Sequence, residues 1–152
     1  MKILEGNENI LQELSKASAA IANPRGTAVE VPPKCAYELQ AEFLEYQFKK
    51  SLKLKFPVPE KYANPAGVLQ GGFLTAMFDN SFGPLSYLVA KKPTTSLDII
   101  THYVRPIKVN HPLFITVQVV SRSKATMYMT GDAFDEKDRL LGSASTNMMI
   151  FT

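Results

Sequence analysis

Residues 71–90 read GGFLTAMFDNSFGPLSYLVA, and this stretch decides the fold. It is the one long run of helical character after the N-terminal region, and it is apolar almost all round. A helix of this kind has to be buried. Its single carboxylate, Asp79, is unusual because an aspartate in a helix interior competes with the backbone for hydrogen bonds. Pro84 is expected to kink the helix, because its ring nitrogen cannot donate to the carbonyl of Asn80.

Strand patterns surround this helix. Alternating apolar and polar residues predict a half-solvated strand at 46–56, and four further strands follow at roughly 95–105, 112–122, 126–135 and 140–151. Short connections between the last four favour an antiparallel sheet with one dry face. The sequence therefore predicts an α+β fold in which a curved antiparallel sheet wraps around one long central helix.

The N-terminal region is expected to form an extension. Residues 8–22 place apolar side chains at helical spacing, which predicts a short amphipathic helix. Prolines and glycine in the next segment predict a loop over 23–36. We therefore divide the chain into an extension, 1–36, and a single domain, 37–152.

Composition excludes several classes of protein. The chain has 152 residues and a net charge of +3, which favours anionic ligands weakly and does not predict nucleic-acid binding. We expect neither a signal peptide nor a membrane span. Cys35 is the single cysteine, so an internal disulfide is impossible, and we expect a cytoplasmic protein.

Several kinds of site are also excluded by motif. One cysteine and two distant histidines, His102 and His111, do not make a usual zinc site, so no metal is predicted. We interpret both histidines as structural or exposed. Nucleophile-elbow, dinucleotide-binding and Walker patterns are all missing from the sequence, and we expect no cofactor.

The glycine pair and the acid together suggest acyl chemistry. Gly71 and Gly72 lie where the helix should begin, and a helix N-terminus offers free N–H groups and a positive dipole end. Glycine lets a ligand approach that backbone closely. Asp79 would then be a base or nucleophile further along the helix. The alternative is that Asp79 only faces a polar edge and has no chemical role.

Distance places these groups in different chains. Gly71 and Asp79 are eight residues apart, about 12 Å of helix rise. One substrate carbonyl cannot touch both groups of the same helix. If both act on one carbon, two such helices must lie antiparallel across a twofold axis. We therefore predict an active site at a homodimer interface.

A known family shares this pattern. Asn64-x-x-Gly67-x-x-Gln70-Gly71-Gly72, with Asp79 beyond it, resembles the hot-dog-fold acyl-CoA thioesterases, in the phenylacetate-degradation and hydroxybenzoyl-CoA thioesterase-like branch. TTSLDIITHYVRPI, residues 94–107, and GSASTNMMIF, residues 142–151, are similar to later strands of that family. The resemblance covers about residues 45–151. It implies hydrolysis of an acyl-CoA thioester by a homodimer or a dimer of dimers.

The resemblance also implies residue roles. Asp79 would be the nucleophile or the general base, and the Gly71 N–H would polarise the thioester carbonyl. Asn64 matches a position beside the carbonyl and the water, and Ser96, or else Thr95, would hold the water. Further substrate contacts would come from the residues Gln70, Gly72, Arg122 and Lys124, the last two binding the CoA phosphates.

One departure leaves a second hypothesis open. The family usually carries histidine where this chain has Gln70, and glutamine can neither carry a positive charge nor shuttle a proton. The protein could therefore be a hot-dog protein that binds acyl-CoA without hydrolysing it. A hot-dog dehydratase would need a histidine upstream of the helix, and none is there.

Overall fold

The computed structural model describes residues 1–19, 21, 26 and 28–152. In these residues three α-helices and eight strands form. The helices are α1 (Asn7–Ser18), α2 (Lys34–Glu38) and α3 (Gly71–Ala90). The strands are β1 (Ile3–Glu5), β2 (Glu42–Gln47), β3 (Ser51–Phe56), β4 (Thr94–Ser96), β5 (Ile100–Tyr103), β6 (Leu113–Arg122), β7 (Thr126–Phe134) and β8 (Leu140–Ile150). A short 3-10 helix, Glu60–Tyr62, lies before α3.

The strands make one antiparallel sheet in the order β1-β2-β3-β6-β7-β8-β4, and β5 also pairs with β8. The single strand predicted at 95–105 is therefore two short strands on one edge. Asp98 separates them, because its carboxylate accepts hydrogen bonds from the backbone N–H of Asn147 at 2.8 Å and from its side-chain amide at 3.1 Å. Between β4 and β5, these hydrogen bonds to the Asp98 side chain take the place of the backbone hydrogen bonds that pair each of the two strands with β8.

Helix α3 packs against the sheet as predicted. It contacts β3, β4, β6, β7 and β8. Its sheet-facing side chains, Leu74, Met77, Phe78, Phe82 and Leu85, are at most 1% exposed. Pro84 lies inside the helix without ending it, and the helix closes at Lys91, which takes a left-handed conformation. The predicted central helix is thus confirmed.

The strand predicted at 46–56 is a hairpin. Strands β2 and β3 flank a turn in which Lys50 N–H donates to the Gln47 carbonyl at 3.0 Å. The apolar alternation runs through the turn because the register pairs Tyr46 with Leu52, and these two buried side chains share one face. A bulge between Phe43 and Glu45 then places Phe43 opposite Leu54. Periodicity alone could not reveal the reversal.

The N-terminal helix forms, and it belongs to the same core. Ile10 and Leu14 of α1 are buried, and α1 packs against β2 and α3. Strand β1 pairs with β2. The predicted helix ends at Ser18, and residues 20 and 22 of its predicted range lie outside the described part. Helix α2 occupies the end of the predicted loop over 23–36, of which residues 23–25 and 27 are likewise not described. The division of the chain after residue 36 stays a prediction.

Removing the ring of Phe78 should destabilise the fold. Phe78 is fully buried and stacks on Phe82 with ring centroids 6.1 Å apart. Phe78→Ala would leave a cavity between helix and sheet, so we expect the free energy of unfolding to fall by about 3–5 kcal/mol. Urea titration followed by circular dichroism measures it. Tyr37→Ala, at a side chain that is 66% exposed, is the control and should change stability by less than about 0.5 kcal/mol.

Candidate active site

The start of α3 is closely covered. Gln70 precedes the helix in an extended conformation, and its side chain caps no backbone group of the described residues. A Cβ on Gly71 would lie 2.8 Å from Cζ of Tyr103, and one on Gly72 would lie 2.9 Å from Oε1 of Gln70. Both glycines therefore make room for neighbouring side chains. The N–H of Gly71 belongs to the first helical turn, whose N–H groups have no intrahelical partner.

Three hydroxyl groups meet beside this helix start. Oγ1 of Thr75 lies 2.8 Å from Oγ1 of Thr101 and 3.3 Å from the hydroxyl of Tyr103. Tyr103 itself is 60% exposed. Reasoning from the sequence missed this group, although Thr101 and Tyr103 stand two residues apart on a strand and Thr75 follows Gly71 by one helical turn. The hydroxyls fix the Tyr103 ring over Gly71.

Asp79 and Ser96 are brought together. Asp79 is exposed on the outer face of α3, and Oγ of Ser96 donates a 2.8 Å hydrogen bond to its Oδ1. Ser96 is held in place because β4 pairs with β8 opposite Met148. Thr95 is exposed and makes no side-chain hydrogen bond with a described residue. The carboxylate is therefore oriented by one hydroxyl and is open to solvent.

Asn64 shapes the loop that leads to the helix. Its Oδ1 accepts hydrogen bonds from the backbone N–H of Ala66 at 2.9 Å and of Val68 at 3.3 Å. Its backbone N–H donates to the Val68 carbonyl at 2.8 Å, and Gly67 has the positive φ that this turn needs. The side-chain oxygen is thus committed to the turn. The Nδ2 group makes no hydrogen bond within the described part of the chain, so it can donate to a ligand.

Arg122 and Lys124 lie at the other end of α3. Arg122 donates to the carbonyl of Val89 at 2.9 Å, and Lys124 stands in the exposed turn between β6 and β7. About 27 Å of helix rise separates Val89 from Gly71. The structure therefore does not bring these cations to Gly71 of the same chain.

A cavity of about 310 Å³ opens beside Asp79. Ser96 and Thr95 also line it, and so does Tyr87, two turns beyond Asp79 on α3. Burial raises the pKa of the Tyr87 hydroxyl. The candidate base thus borders a space large enough for part of a ligand.

The described residues offer neither a metal site nor a membrane-spanning helix. Among the residues that the structure describes, no three His, Cys, Asp or Glu side chains stand close enough to hold a metal ion. His102 is exposed on β5, and His111 lies 3.3 Å from Glu136 with both side chains exposed. Within the same residues, no helix is long and apolar enough to cross a membrane.

Known proteins share this architecture. The Escherichia coli PaaI protein of the phenylacetic acid degradation operon superposes with a TM-score of 0.71 and 16% identity, over 76% of this chain and 87% of that one. A phenylacetic acid degradation-related protein from Ralstonia eutropha gives 0.72 and 22%, over 83% and 95%. A thioesterase protein from Streptococcus pneumoniae, solved with coenzyme A, gives 0.66 and 19%, over 70% and 82%.

These superpositions confirm the hot-dog fold. No curated protein matches the sequence of this chain. The thioesterase superfamily, however, matches residues 66–141, which run from the approach loop of α3 to the second residue of β8 and make up half of the chain. That segment carries the glycine pair, Asp79 and Ser96. The chain therefore belongs to the thioesterase superfamily, a family of thioester hydrolases.

Proposed function

We propose that this protein hydrolyses acyl-CoA thioesters at a site shared by two subunits. One observation carries the proposal: a single sheet edge holds Ser96 against Asp79 and Tyr103 against Gly71. Asp79 and Gly71 of one chain are too far apart to act on one carbonyl. The coenzyme A bound to the Streptococcus pneumoniae protein supports CoA as the leaving group.

The exposed edge formed by β4 and β5 supports the dimer. Leu97, Ile100, Tyr103 and Val104 are large apolar side chains exposed along it. An open edge presents unpaired backbone groups to a second strand. If two copies pair antiparallel about a centre between Ser96 and Tyr103, Ser96 of one subunit lies near Tyr103 of the other. Asp79 then comes beside Gly71 of the partner subunit. A dimer of dimers stays a prediction.

The chemistry follows from these positions. The Gly71 N–H of one subunit donates to the thioester oxygen, where negative charge develops. Asp79 of the partner subunit takes a proton from water, and the hydroxide forms the new C–O bond. Alternatively, Asp79 attacks the carbonyl carbon and water then cleaves the anhydride. In both routes the C–S bond breaks and the CoA thiolate leaves and is protonated. Ser96 orients the carboxylate, and Nδ2 of Asn64 can donate to the substrate.

Phosphate binding has two candidate locations. Arg122 and Lys124 of the partner subunit lie beyond the C-terminal end of its antiparallel α3, on the side where CoA would leave Gly71. A second set of cations lines a cavity of about 510 Å³ around Val68: Arg105, Lys108, Lys137 and Arg139. Arg139 pairs with Asp135, whose pKa is held below its usual range first by the Arg139 backbone N–H. Lys108 and Lys137 make no salt bridge with a described residue.

Release of free thiol from acyl-CoA tests this function. We expect turnover of at least one member of a panel of acetyl-, hexanoyl-, decanoyl-, palmitoyl- and phenylacetyl-CoA. We also expect the active protein to behave as a dimer or a larger oligomer in light scattering. Binding of acyl-CoA without turnover anywhere in the panel would instead favour the non-hydrolytic protein that Gln70 suggests. Neither binding nor turnover would reject CoA thioesters as ligands.

Ser96 should matter more than Thr95. Ser96→Ala removes a hydrogen bond to a charged group, worth about 1.5–3 kcal/mol, so we expect kcat to fall roughly ten- to hundredfold. Thr95→Ala is the matched control, because it removes a hydroxyl from the neighbouring position of the same strand, and its effect should be smaller. Steady-state kinetics on both variants decide the assignment. If Thr95→Ala lowered kcat more than Ser96→Ala, the role of orienting Asp79 would belong to Thr95.

A further inference from the structure

The cavity beside Asp79 has walls from two different parts of the chain. Asp79, Asn80, Gly83, Pro84 and Tyr87 form one wall, all on the outer face of α3. From Asp79 to Tyr87 this wall runs about 12 Å along the helix axis. The facing wall is the N-terminal segment, in which Val29–Pro33, Cys35 and Ala36 line the cavity together with Leu14 of α1. This second wall precedes residue 66, where the match to the thioesterase superfamily begins.

The described residues that line the cavity are largely apolar and include no cation. Aliphatic side chains and prolines make up most of the N-terminal wall, and Phe43 and Met148 add to the apolar lining. The α3 wall is more polar, and the hydroxyls of β4 border the cavity beside it. The two ionisable acids are Asp79 and Glu30, and no Lys or Arg of the described residues lines the space. A carboxylate buried there would be desolvated beside like charges, which is costly. The volume of about 310 Å³ is at the low end of the roughly 300–1,000 Å³ range of small-molecule pockets.

We propose that this cavity is the acyl pocket, and that its N-terminal wall, residues 29–33, 35 and 36, selects an uncharged apolar acyl group of medium length or an aryl group. The proposal rests on the thioesterase activity proposed above and adds its substrate class. An acyl group that carries a free carboxylate is disfavoured, because no Lys or Arg of the described residues lines the cavity. We expect long chains to fit poorly in a cavity of about 310 Å³, whose N-terminal wall includes Val31 and Pro32.

Two variants on opposite walls test the pocket. A Cβ on Gly83 would meet no atom within 4 Å outside its own helix, so Gly83→Leu begins in open space on the cavity wall, and it also replaces a helix-weakening glycine. Val31→Phe fills the cavity from the N-terminal wall. Each should lower the ratio of kcat/KM for decanoyl-CoA over butyryl-CoA roughly ten- to hundredfold. Lys34→Phe, which adds the same ring to the same segment outside the cavity, should leave that ratio unchanged.

The wild-type protein supplies the charge test. Butyryl-CoA and succinyl-CoA have the same chain length, and we expect kcat/KM for succinyl-CoA to be at least tenfold lower. Val31→Ala guards against misfolding of Val31→Phe, because it enlarges the cavity and should move the optimum to longer chains. If CoA thioesters are turned over but both Val31 variants leave the ratio of kcat/KM for decanoyl-CoA over butyryl-CoA unchanged, selection by the N-terminal segment is overturned. The proposed thioesterase activity then still stands. Equal rates for butyryl- and succinyl-CoA would overturn the charge selection, whereas no turnover of any CoA thioester would reject the activity itself.

Discussion

Asp79→Asn should lower kcat for acyl-CoA hydrolysis by roughly 10²–10⁴-fold, because an amide can neither accept the proton of water nor attack the carbonyl. The fold should be unaffected, since Asp79 is exposed and the asparagine oxygen can still accept the hydrogen bond from Ser96. Free-thiol release gives the rate, and thermal unfolding checks the fold. This variant should also retain acyl-CoA binding, because the pocket and the Gly71 N–H remain.

Asp132→Asn is the matched control. Asp132 is exposed on β7, so the same exchange of carboxylate for amide should leave kcat within about twofold of wild type. If Asp79→Asn kept more than a tenth of the wild-type rate, Asp79 would be neither base nor nucleophile. If Asp79→Asn loses activity as expected, a single turnover in heavy-oxygen water distinguishes Asp79 as general base from Asp79 as nucleophile. The label enters the product acid directly if Asp79 activates water. It enters the Asp79 side chain first if Asp79 attacks and water then cleaves the anhydride at the Asp79 carbonyl carbon.

Gly71→Pro should lower kcat/KM by roughly 10²–10³-fold relative to Gly71→Ala, because proline lacks the N–H that polarises the carbonyl. Proline is tolerated at the first helical position, and Gln70 already has the extended conformation, φ −66 and ψ 132, that a residue before proline adopts. Both variants place a Cβ against the Tyr103 ring, so they share any crowding there. Their difference isolates the N–H, and equal kinetics would remove Gly71 as the oxyanion donor.

Mixing these variants tests the shared site. The shared site takes Asp79 from one subunit and Gly71 from the other, and the two variants each alter one of these groups. A mixed dimer of Asp79→Asn and Gly71→Pro subunits therefore contains one intact site and one doubly altered site. Random reassociation at equal amounts should restore about a quarter of the wild-type activity, since half of the dimers are mixed. Activity that stays at the level of the separate variants after verified exchange would place both groups in one chain. Co-purification of an untagged Gly71→Pro subunit with an affinity-tagged Asp79→Asn subunit verifies the exchange.

Much of the fold could be read from local pattern. The apolar helix at 71–90, the amphipathic helix near the N-terminus and the strands β6, β7 and β8 all follow from periodicity and turn residues, which act over a few neighbouring positions. The hairpin at 42–56 was missed because alternation continues through its turn. The break between β4 and β5 was missed because it depends on Asp98 bonding to Asn147, a contact between distant parts of the chain.

The same distinction between local sequence pattern and contacts between distant parts of the chain applies to the candidate site. The sequence by itself determined the glycine pair at a helix start, the lone acid two turns later, and the separation that forbids one chain from using both on one carbon. The tertiary structure alone decided that Ser96 orients Asp79, that Tyr103 covers Gly71, and that residues 29–33, 35 and 36 wall the cavity beside the acid. Spacing along a helix is fixed by its rise, whereas contacts between a helix, a sheet edge and an N-terminal segment exist only after the core has packed.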